Sequence, residues 1–189
     1  MTDRESGSGM SVPTTLEEFG KARIGIHQVE YSTGAGFDIP VVHVFGRDVA
    51  GNAVRIDVTG FRPYFYAPVG QVEKRRPPEG VEVEPGTTYR SIRGEPLRRL
   101  YTRRPGDVRD VRDRFLHFEA DIPFATRFMI DCGLTAGMEY PAGVSTVDYR
   151  ELAPADIKAP ARTCIMDIEC VDEEGFPDPE RNPIICVTC

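Results

Sequence analysis

Four short runs of alternating apolar and polar residues constrain the fold of this chain more than any other feature. The runs occupy residues 24–31, 41–45, 54–58 and 64–67, and turn residues such as glycine, asparagine and aspartate separate them. Alternation with a period of two is typical of half-buried strands, and short polar turns join neighbouring strands in antiparallel order. The sequence therefore predicts an antiparallel meander. Pro63 and Pro68 bracket the fourth run, so we expect that strand to be short or near an edge.

The stretch after residue 104 has the first helical periodicity. Its apolar stripe consists of Val108, Val111, Phe115 and Leu116. We expect Asp107 to cap this helix, because an aspartate side chain accepts hydrogen bonds from the unpaired N–H groups of a first turn. Arg109 and Arg112 should then point away from the buried side.

Residues 69–88, rich in proline and glycine, predict a loop, and residues 98–102 predict a further strand.

A second helix has clearer end signals. Asp121 can cap it, Pro123 fits its first turn because proline lacks an N–H group, and Gly133 lies just past its end. Its apolar stripe consists of Ile122, Phe124, Ala125, Phe128, Met129 and Cys132. A helix with so wide a stripe should pack against the predicted sheet.

Charge is unevenly distributed along the chain. The net charge is −7, yet residues 62–114 hold thirteen basic and eight acidic side chains, a local charge of +5. Residues 115–189 carry −9. A basic middle in an acidic chain favours an anionic partner held against one surface, although a solvated face is the alternative.

Composition excludes several classes of protein. Hydrophobic residues make up 40% of the 189 residues and no short repeat is present, which excludes collagen-like, coiled-coil and wholly disordered chains. No apolar run is long enough to span a membrane. The polar start lacks the apolar region of a secretory signal, and with five cysteines we expect reduced thiols in the cytoplasm.

Asp167 and Glu169 are the candidate metal ligands. They lie two residues apart in an otherwise apolar strand, so both carboxylates should point to the same face. Burial of unpaired carboxylates is unfavourable, and a hard cation such as Mg²⁺ or Mn²⁺ would neutralise them. A solvent-exposed strand face is the alternative explanation. Cys186 and Cys189 form a C-x-x-C pair, but on a strand they face opposite sides, so any role of the two thiols stays open.

Three motifs together resemble the family B DNA polymerases of archaea. Residues 163–170 (TCIMDIEC) are similar to the first exonuclease motif of that family. Residues 119–134 (EADIPFATRFMIDCGL) and 61–67 (FRPYFYA) resemble signatures of its N-terminal domain. The resemblance implies a DNA-directed DNA polymerase with a 3′–5′ proofreading exonuclease. It also implies that Asp167 and Glu169 are catalytic ligands of Mg²⁺ or Mn²⁺ in a completed site.

Archaeal members of that family also capture uracil in the template strand. Uracil lacks the C5 methyl group of thymine and differs from cytosine at the 4-position, so a tight pocket with a backbone N–H donor can select it. The residues that the resemblance implies for this pocket are Tyr31, Pro63, Tyr64, Val108, Ile122, Phe124 and Arg127. Without the resemblance these residues would be interpreted as core, and Arg127 could pair with Asp131 one helical turn away.

The predicted fold is therefore α+β. A curled antiparallel sheet with two helices would be followed by the first strands of an RNase H-like exonuclease fold. We expect a flexible tail over residues 1–20, a template-sensing domain over 21–150, and a linker with the truncated start of an exonuclease domain over 151–189.

The implied partners are single-stranded template DNA, a primer–template and, through parts beyond residue 189, a sliding clamp. We expect the chain by itself neither to polymerise nor to excise. Two alternatives stay open: an unrelated RNase H-like metal-dependent nuclease, and a stand-alone module that binds single-stranded nucleic acid through the arginines of residues 90–114.

Overall fold

The chain forms two compact units. The computed structural model describes residues 20–34, 39–86, 89–159, 163–171, 175 and 178–188. The first unit extends to Ala159 and the second comprises residues 160–189. The boundary lies after Ala159 rather than after residue 150, because Ala153–Pro154 still pairs with a strand of the first unit. Most of the expected tail, residues 1–19, lies outside the described residues, as does Cys189.

A six-stranded sheet forms the larger part of the first unit. Its strands are β1 (Lys21–Ser32), β2 (Val41–Arg47), β3 (Ala53–Thr59), β8 (Gly137–Pro141), β9 (Thr146–Asp148) and β10 (Ala153–Pro154). Their order is β10-β8-β1-β2-β3-β9, and only β9 pairs in parallel. The first three strands are the predicted meander. A register shift between Ile26 and Gln28 marks a bulge in β1, which curls the sheet.

Glycine is required where β1 and β2 approach most closely. A Cβ atom on Gly46 would lie 2.1 Å from the carbonyl oxygen of Gly25. That distance is far below van der Waals contact, so the two backbones can pair at this point only without a side chain at residue 46. The buried residues of this sheet form one core together with Phe61, Phe124 and Phe128.

The fourth run does not continue the meander. It forms β4 (Tyr64–Pro68) of a second sheet with β5 (Glu82–Val83), β6 (Tyr89–Arg90) and β7 (Pro96–Tyr101). The chain turns away at Gly60, whose φ of +82° is readily adopted only by glycine. Phe65, Ala67 and Leu100 face a separate core, so one predicted sheet is in fact two.

Three α-helices and a short 3-10 helix, Tyr149–Glu151, complete the described part of the first unit. The α-helices are α1 (Val69–Lys74), α2 (Pro105–Arg112) and α3 (Phe124–Asp131). The short helix α1 lies where we expected only loop. Neither aspartate caps its helix at the predicted position: α2 begins earlier, with the Asp107 carboxylate accepting the Arg104 N–H at 2.9 Å, and Pro123 is the N-cap of α3. Gly133, with a φ of +64°, ends α3 as predicted.

The stripe predicted for α2 extends past the end of the helix. Because α2 ends at Arg112, Phe115 and Leu116 lie in the segment that follows; Phe115 is buried and Leu116 is exposed. None of the described helices is long and apolar enough to cross a membrane.

The second unit contains one described hairpin. Strand β11 (Asp167–Cys170) pairs in antiparallel fashion with β12 (Ile184–Thr188). Its apolar side chains are largely exposed: Ile168 keeps 50% of its surface accessible and Ile185 66%.

Candidate functional site

A cavity of about 690 Å³ opens in the first unit between α2, α3 and the adjoining ends of β1 and β4. All seven residues that the resemblance implies for template binding line it: Tyr31, Pro63, Tyr64, Val108, Ile122, Phe124 and Arg127. They come from four separate stretches of sequence, so tertiary packing and not local structure brings them together.

Aromatic and aliphatic side chains form the walls of this cavity. The rings of Tyr31 and Phe124 meet edge to face, with centroids 5.1 Å apart. Phe124 also packs against Phe61 of the core at 5.4 Å. Val108 faces the cavity from α2 and keeps only 8% of its surface accessible. The wall residues are therefore held by the core behind them, and Tyr31 is the exposed member.

Arg127 is a buried cation that is fully engaged by its neighbours. Its Nη1 donates to the Glu119 carboxylate at 2.6 Å, and its Nη2 donates to the Glu119 carbonyl oxygen at 2.8 Å. Burial by itself would lower the pKa of Arg127, but the hydrogen bond that it donates to Glu119 and nearby negative charge raise it. The i+4 pairing with Asp131 that the sequence allowed does not form. Glu119 competes better because it offers two acceptors to one guanidinium.

Tyr64 takes the place of Arg127 as the partner of Asp131. Its hydroxyl donates to the Asp131 carboxylate at 2.6 Å, and two guanidinium groups lie near its ring, Arg99 at 4.4 Å and Arg127 at 4.6 Å from the centroid. Burial, and then the hydrogen bond to Asp131, raise the pKa of Tyr64 above its usual range. The side chain is therefore a neutral donor whose ring contacts two cations and whose hydroxyl is bound to Asp131.

Glu119, which accepts two hydrogen bonds from Arg127, has a strained backbone conformation. Its φ of +57° lies in the left-handed region, and among the described residues it is the only non-glycine residue there. Such a conformation costs about 1 kcal/mol for a residue with a Cβ atom. The hydrogen bonds to Arg127 offset that strain, since bonds to a charged group contribute about 1.5–3 kcal/mol.

Arg109 and Arg112 also line the cavity; Arg109 is exposed, as predicted, whereas Arg112 does not point away from the buried side. Arg112 is half-buried and its Nη1 donates to the Ala120 carbonyl oxygen at 3.4 Å. Its Nε is buried and has no hydrogen-bond partner among the described residues. The helical stripe alone could not reveal this, because the contact of Arg112 with Ala120 depends on the path of the chain after α2. The rim of the cavity is consequently basic.

The described residues of the second unit present the two predicted carboxylates on one strand. Asp167 and Glu169 pair with Thr188 and Cys186 across the hairpin, and the alternation of β11 places both side chains on the same face. Both residues are exposed. Carboxylate oxygens are suitable ligands for Mg²⁺ or Mn²⁺. No group of three or more histidine, cysteine, aspartate or glutamate side chains that could hold a metal ion exists within the described ranges.

Comparisons with known proteins find similarity to DNA polymerases. Residues 115–189 match the family model described as "DNA polymerase family B, exonuclease domain". The chain is 30% identical to DNA polymerase 2 of Aeropyrum pernix, over 78% of this chain and 23% of that protein. It is 26% identical to the DNA polymerase delta catalytic subunit of Glycine max, over 78% of this chain and 19% of that one.

A solved structure shares the fold. The family B DNA polymerase of the hyperthermophilic archaeon Pyrobaculum calidifontis superposes with a TM-score of 0.64 and 28% identity, over 87% of this chain and 25% of that one. The mixed α+β fold and the sequence matches make this chain similar to a region of DNA polymerases. Within that class the similarity is to family B, and it includes archaeal members. The chain spans about a fifth of the length of the curated relatives given above.

Proposed function

We propose that this chain is the template-sensing and first exonuclease region of a DNA-directed DNA polymerase with 3′–5′ proofreading, and that its cavity captures uracil in single-stranded template DNA. One observation carries the proposal: seven residues from four separate stretches of sequence converge on one cavity. A chance distribution of core residues would not bring this particular set to one opening.

The construction of the cavity suits discrimination by size. Tyr64 is fixed by Asp131 and by two guanidinium groups, and Phe124 is fixed by Phe61, so the walls resist displacement. A rigid apolar wall can reject one additional carbon by about 1–3 kcal/mol, which is roughly 10- to 200-fold in binding. The C5 methyl group of thymine is such a carbon.

The rim of the cavity suits the backbone of DNA. Arg109 and Arg112 lie on α2 beside the opening, inside the segment whose local charge is +5. Phosphate groups of a single strand would be attracted to this rim whatever their sequence, while the turned-out base enters between the aromatic walls. Affinity and selectivity thus arise from different residues of the same site.

The second unit supplies the start of the proofreading site. Asp167 and Glu169 would hold Mg²⁺ or Mn²⁺, and the metal in such sites activates the attacking water and stabilises the leaving oxygen. The hairpin of β11 and β12 would be the first pair of strands of an RNase H-like fold. Further carboxylates, the primer–template path and any contact with a sliding clamp belong to the longer polymerase that we propose.

Fluorescence anisotropy tests the proposal. Labelled single strands that differ only in one central uracil or thymine are titrated with the chain at two salt concentrations. We expect tighter binding of the uracil strand by roughly 10- to 200-fold at both concentrations, while both affinities fall as salt rises. Equal binding of the two strands would overturn the proposed uracil sensing and leave only a basic surface.

A further inference from the structure

A second cavity of the first unit, about 660 Å³ in volume, is not used by the proposed uracil site. Its walls are mainly apolar and aromatic: Tyr66, Tyr89, Leu97, Leu116 and Phe118, closed on one side by the turn between β6 and β7. Glu119 connects the two cavities, because it lines this one while its carboxylate binds Arg127 of the other. The ion pair between Glu119 and Arg127 therefore lies between the two cavities.

The turn between β6 and β7 presents an unusual surface at the edge of this cavity. The Ser91 hydroxyl oxygen accepts hydrogen bonds from the N–H groups of Arg93 at 3.3 Å and Glu95 at 3.1 Å, and the Ser91 N–H donates to the Glu95 carbonyl oxygen. The backbone of the turn is thus fixed by its own bonds. At its tip Ile92 is fully exposed.

Arginines lie on both sides of that isoleucine. Arg90 donates to the Gly94 carbonyl oxygen at 2.9 Å, and within the described part of the chain neither Arg90 nor Arg93 takes part in an ion pair. Glu95 is the one carboxylate of the turn. The edge of the cavity therefore carries a net positive charge, from Arg90 and Arg93, on both sides of the exposed Ile92 side chain.

Aromatic rings form the inner wall. Tyr66 and Tyr89 meet edge to face with centroids 4.9 Å apart, and Arg99 lies 4.6 Å from the Tyr89 ring. Rings of this kind are platforms on which bases of any sequence can stack, and neighbouring arginines bind the phosphates between the bases. The combination of apolar floor, aromatic wall and cationic edge is complementary to a nucleotide of a single strand.

We propose that this cavity is a second subsite of the template track, which stacks a nucleotide near the captured base without reading its identity. The inference rests on the proposed function, since it requires that the first unit bind single-stranded DNA. Ile92 packs against the stacked base, and Arg90 and Arg93 bind the flanking phosphates. The Glu119–Arg127 pair separates the base that is read from the base that is only held.

Two surface variants test this subsite: Ile92→Ser and Arg93→Gln. Anisotropy titrations use the same uracil and thymine strands over a range of salt concentrations. We expect Ile92→Ser to weaken binding of both strands about tenfold, because it removes the burial of one aliphatic side chain against the base. Arg93→Gln should lower the slope of log affinity against log salt by about 0.7, the value for one phosphate contact with a single strand. In both variants the ratio of uracil to thymine affinity should remain that of the unsubstituted chain.

The chain offers controls away from both cavities. Val49 is an exposed aliphatic residue of the β2–β3 turn, and Arg150 is an exposed arginine of the 3-10 helix Tyr149–Glu151, where it pairs with Asp148. Val49→Ser and Arg150→Gln should bind both strands with unchanged affinity and unchanged salt slope. Circular dichroism spectra of all four variants should match that of the unsubstituted chain, which checks that each variant is folded.

The outcomes separate the two proposals. If Ile92→Ser and Arg93→Gln bind both strands like the unsubstituted chain, the subsite is wrong, whatever the uracil preference. If both variants weaken binding but no protein prefers uracil, the subsite holds and the uracil site fails. If the controls weaken binding equally, the effect is general surface electrostatics and the subsite is overturned.

Discussion

The cavity of the first unit is assembled from segments far apart in the sequence, whereas the carboxylate pair of the second unit comes from three consecutive residues. Tyr31 and Phe124 meet across more than ninety positions, and Phe124 is held by the core behind it. Asp167 and Glu169 owe their common face to strand alternation alone and remain exposed. A pocket built from distant segments forms only when the whole unit is packed. Two carboxylates on one strand share a face without such packing, and packing matters to them only when further metal ligands must be brought close.

The sharpest way to break this comparison is to place a polar group in the wall of the cavity. Val108→Gln should abolish the preference for uracil, a loss of roughly 10- to 200-fold in relative affinity, because the longer side chain fills the space of the base. Anisotropy with the paired strands measures it.

Val111→Gln is the matched control for that variant. Val111 lies on the same helix with the same 8% exposure, but it does not line the cavity. It should lower the free energy of unfolding by an amount similar to Val108→Gln and keep the uracil preference. Equal loss of preference in both variants would mean that the cavity responds to general destabilisation of α2.

A smaller effect should follow from releasing the wall without filling the cavity. Tyr64→Phe removes the hydroxyl that donates to Asp131 and leaves the ring in place. Hydrogen bonds to charged groups contribute about 1.5–3 kcal/mol, so we expect the uracil preference to fall about tenfold. Tyr66→Phe, which loses a bond to Arg99 but does not line this cavity, should keep the preference. Selectivity retained by Tyr64→Phe would show that Asp131 does not position the wall.

Alkaline pH should weaken the first unit through its buried tyrosines. The pKa of Tyr64 is raised above its usual range and that of Tyr89 to about 12, mainly by burial. The unfolded chain releases these protons near pH 10 while the folded chain retains them. The contribution of these two tyrosines to the free energy of unfolding should therefore be level below about pH 10 and fall above it.

Urea unfolding between pH 8 and pH 11 measures that dependence. The double variant Tyr64→Phe, Tyr89→Phe should show a shallower decline, whatever its stability at pH 8. An equally steep decline would assign the effect to other groups.

The smallest effect is expected in the second unit. Asp167→Asn and Glu169→Gln should change the free energy of unfolding by no more than about 0.5 kcal/mol, because both side chains are exposed. The chain by itself should not degrade single-stranded DNA with Mg²⁺ present. A nuclease assay on the pure chain, with Asp167→Asn as control, measures this; Mg²⁺-dependent cleavage that the variant loses would contradict the expectation.

Local patterns in the sequence predicted much of the fold. Alternation located β1, β2 and β3, and a proline and a glycine marked the limits of α3 to within a few residues. Alternation could not show that β4 leaves the meander for a second sheet, because that depends on which partner strand it meets. The helix α1 was missed since a single short turn in a proline-rich stretch has too few residues for a period to appear.

The seven residues predicted for the candidate site came from the resemblance: five lie within its motifs, whereas Tyr31 and Val108 lie outside them. That all seven line one cavity could be seen only in the fold. Spacing along α3 suggested that Arg127 pairs with Asp131. Spacing carries no information about residues outside the helix, and in the structure Glu119 binds Arg127 while Tyr64 binds Asp131. Which of several acids binds a buried cation is decided by tertiary geometry.

The left-handed backbone at Glu119 has a practical consequence for anyone who alters this position. Glycine would relax the torsional strain there but would deprive the Arg127 guanidinium of its carboxylate, so gain and loss would oppose each other in a melting curve. Glutamine keeps the strain and removes only the charge. Read side by side, the two replacements distinguish the conformational from the electrostatic share of one residue.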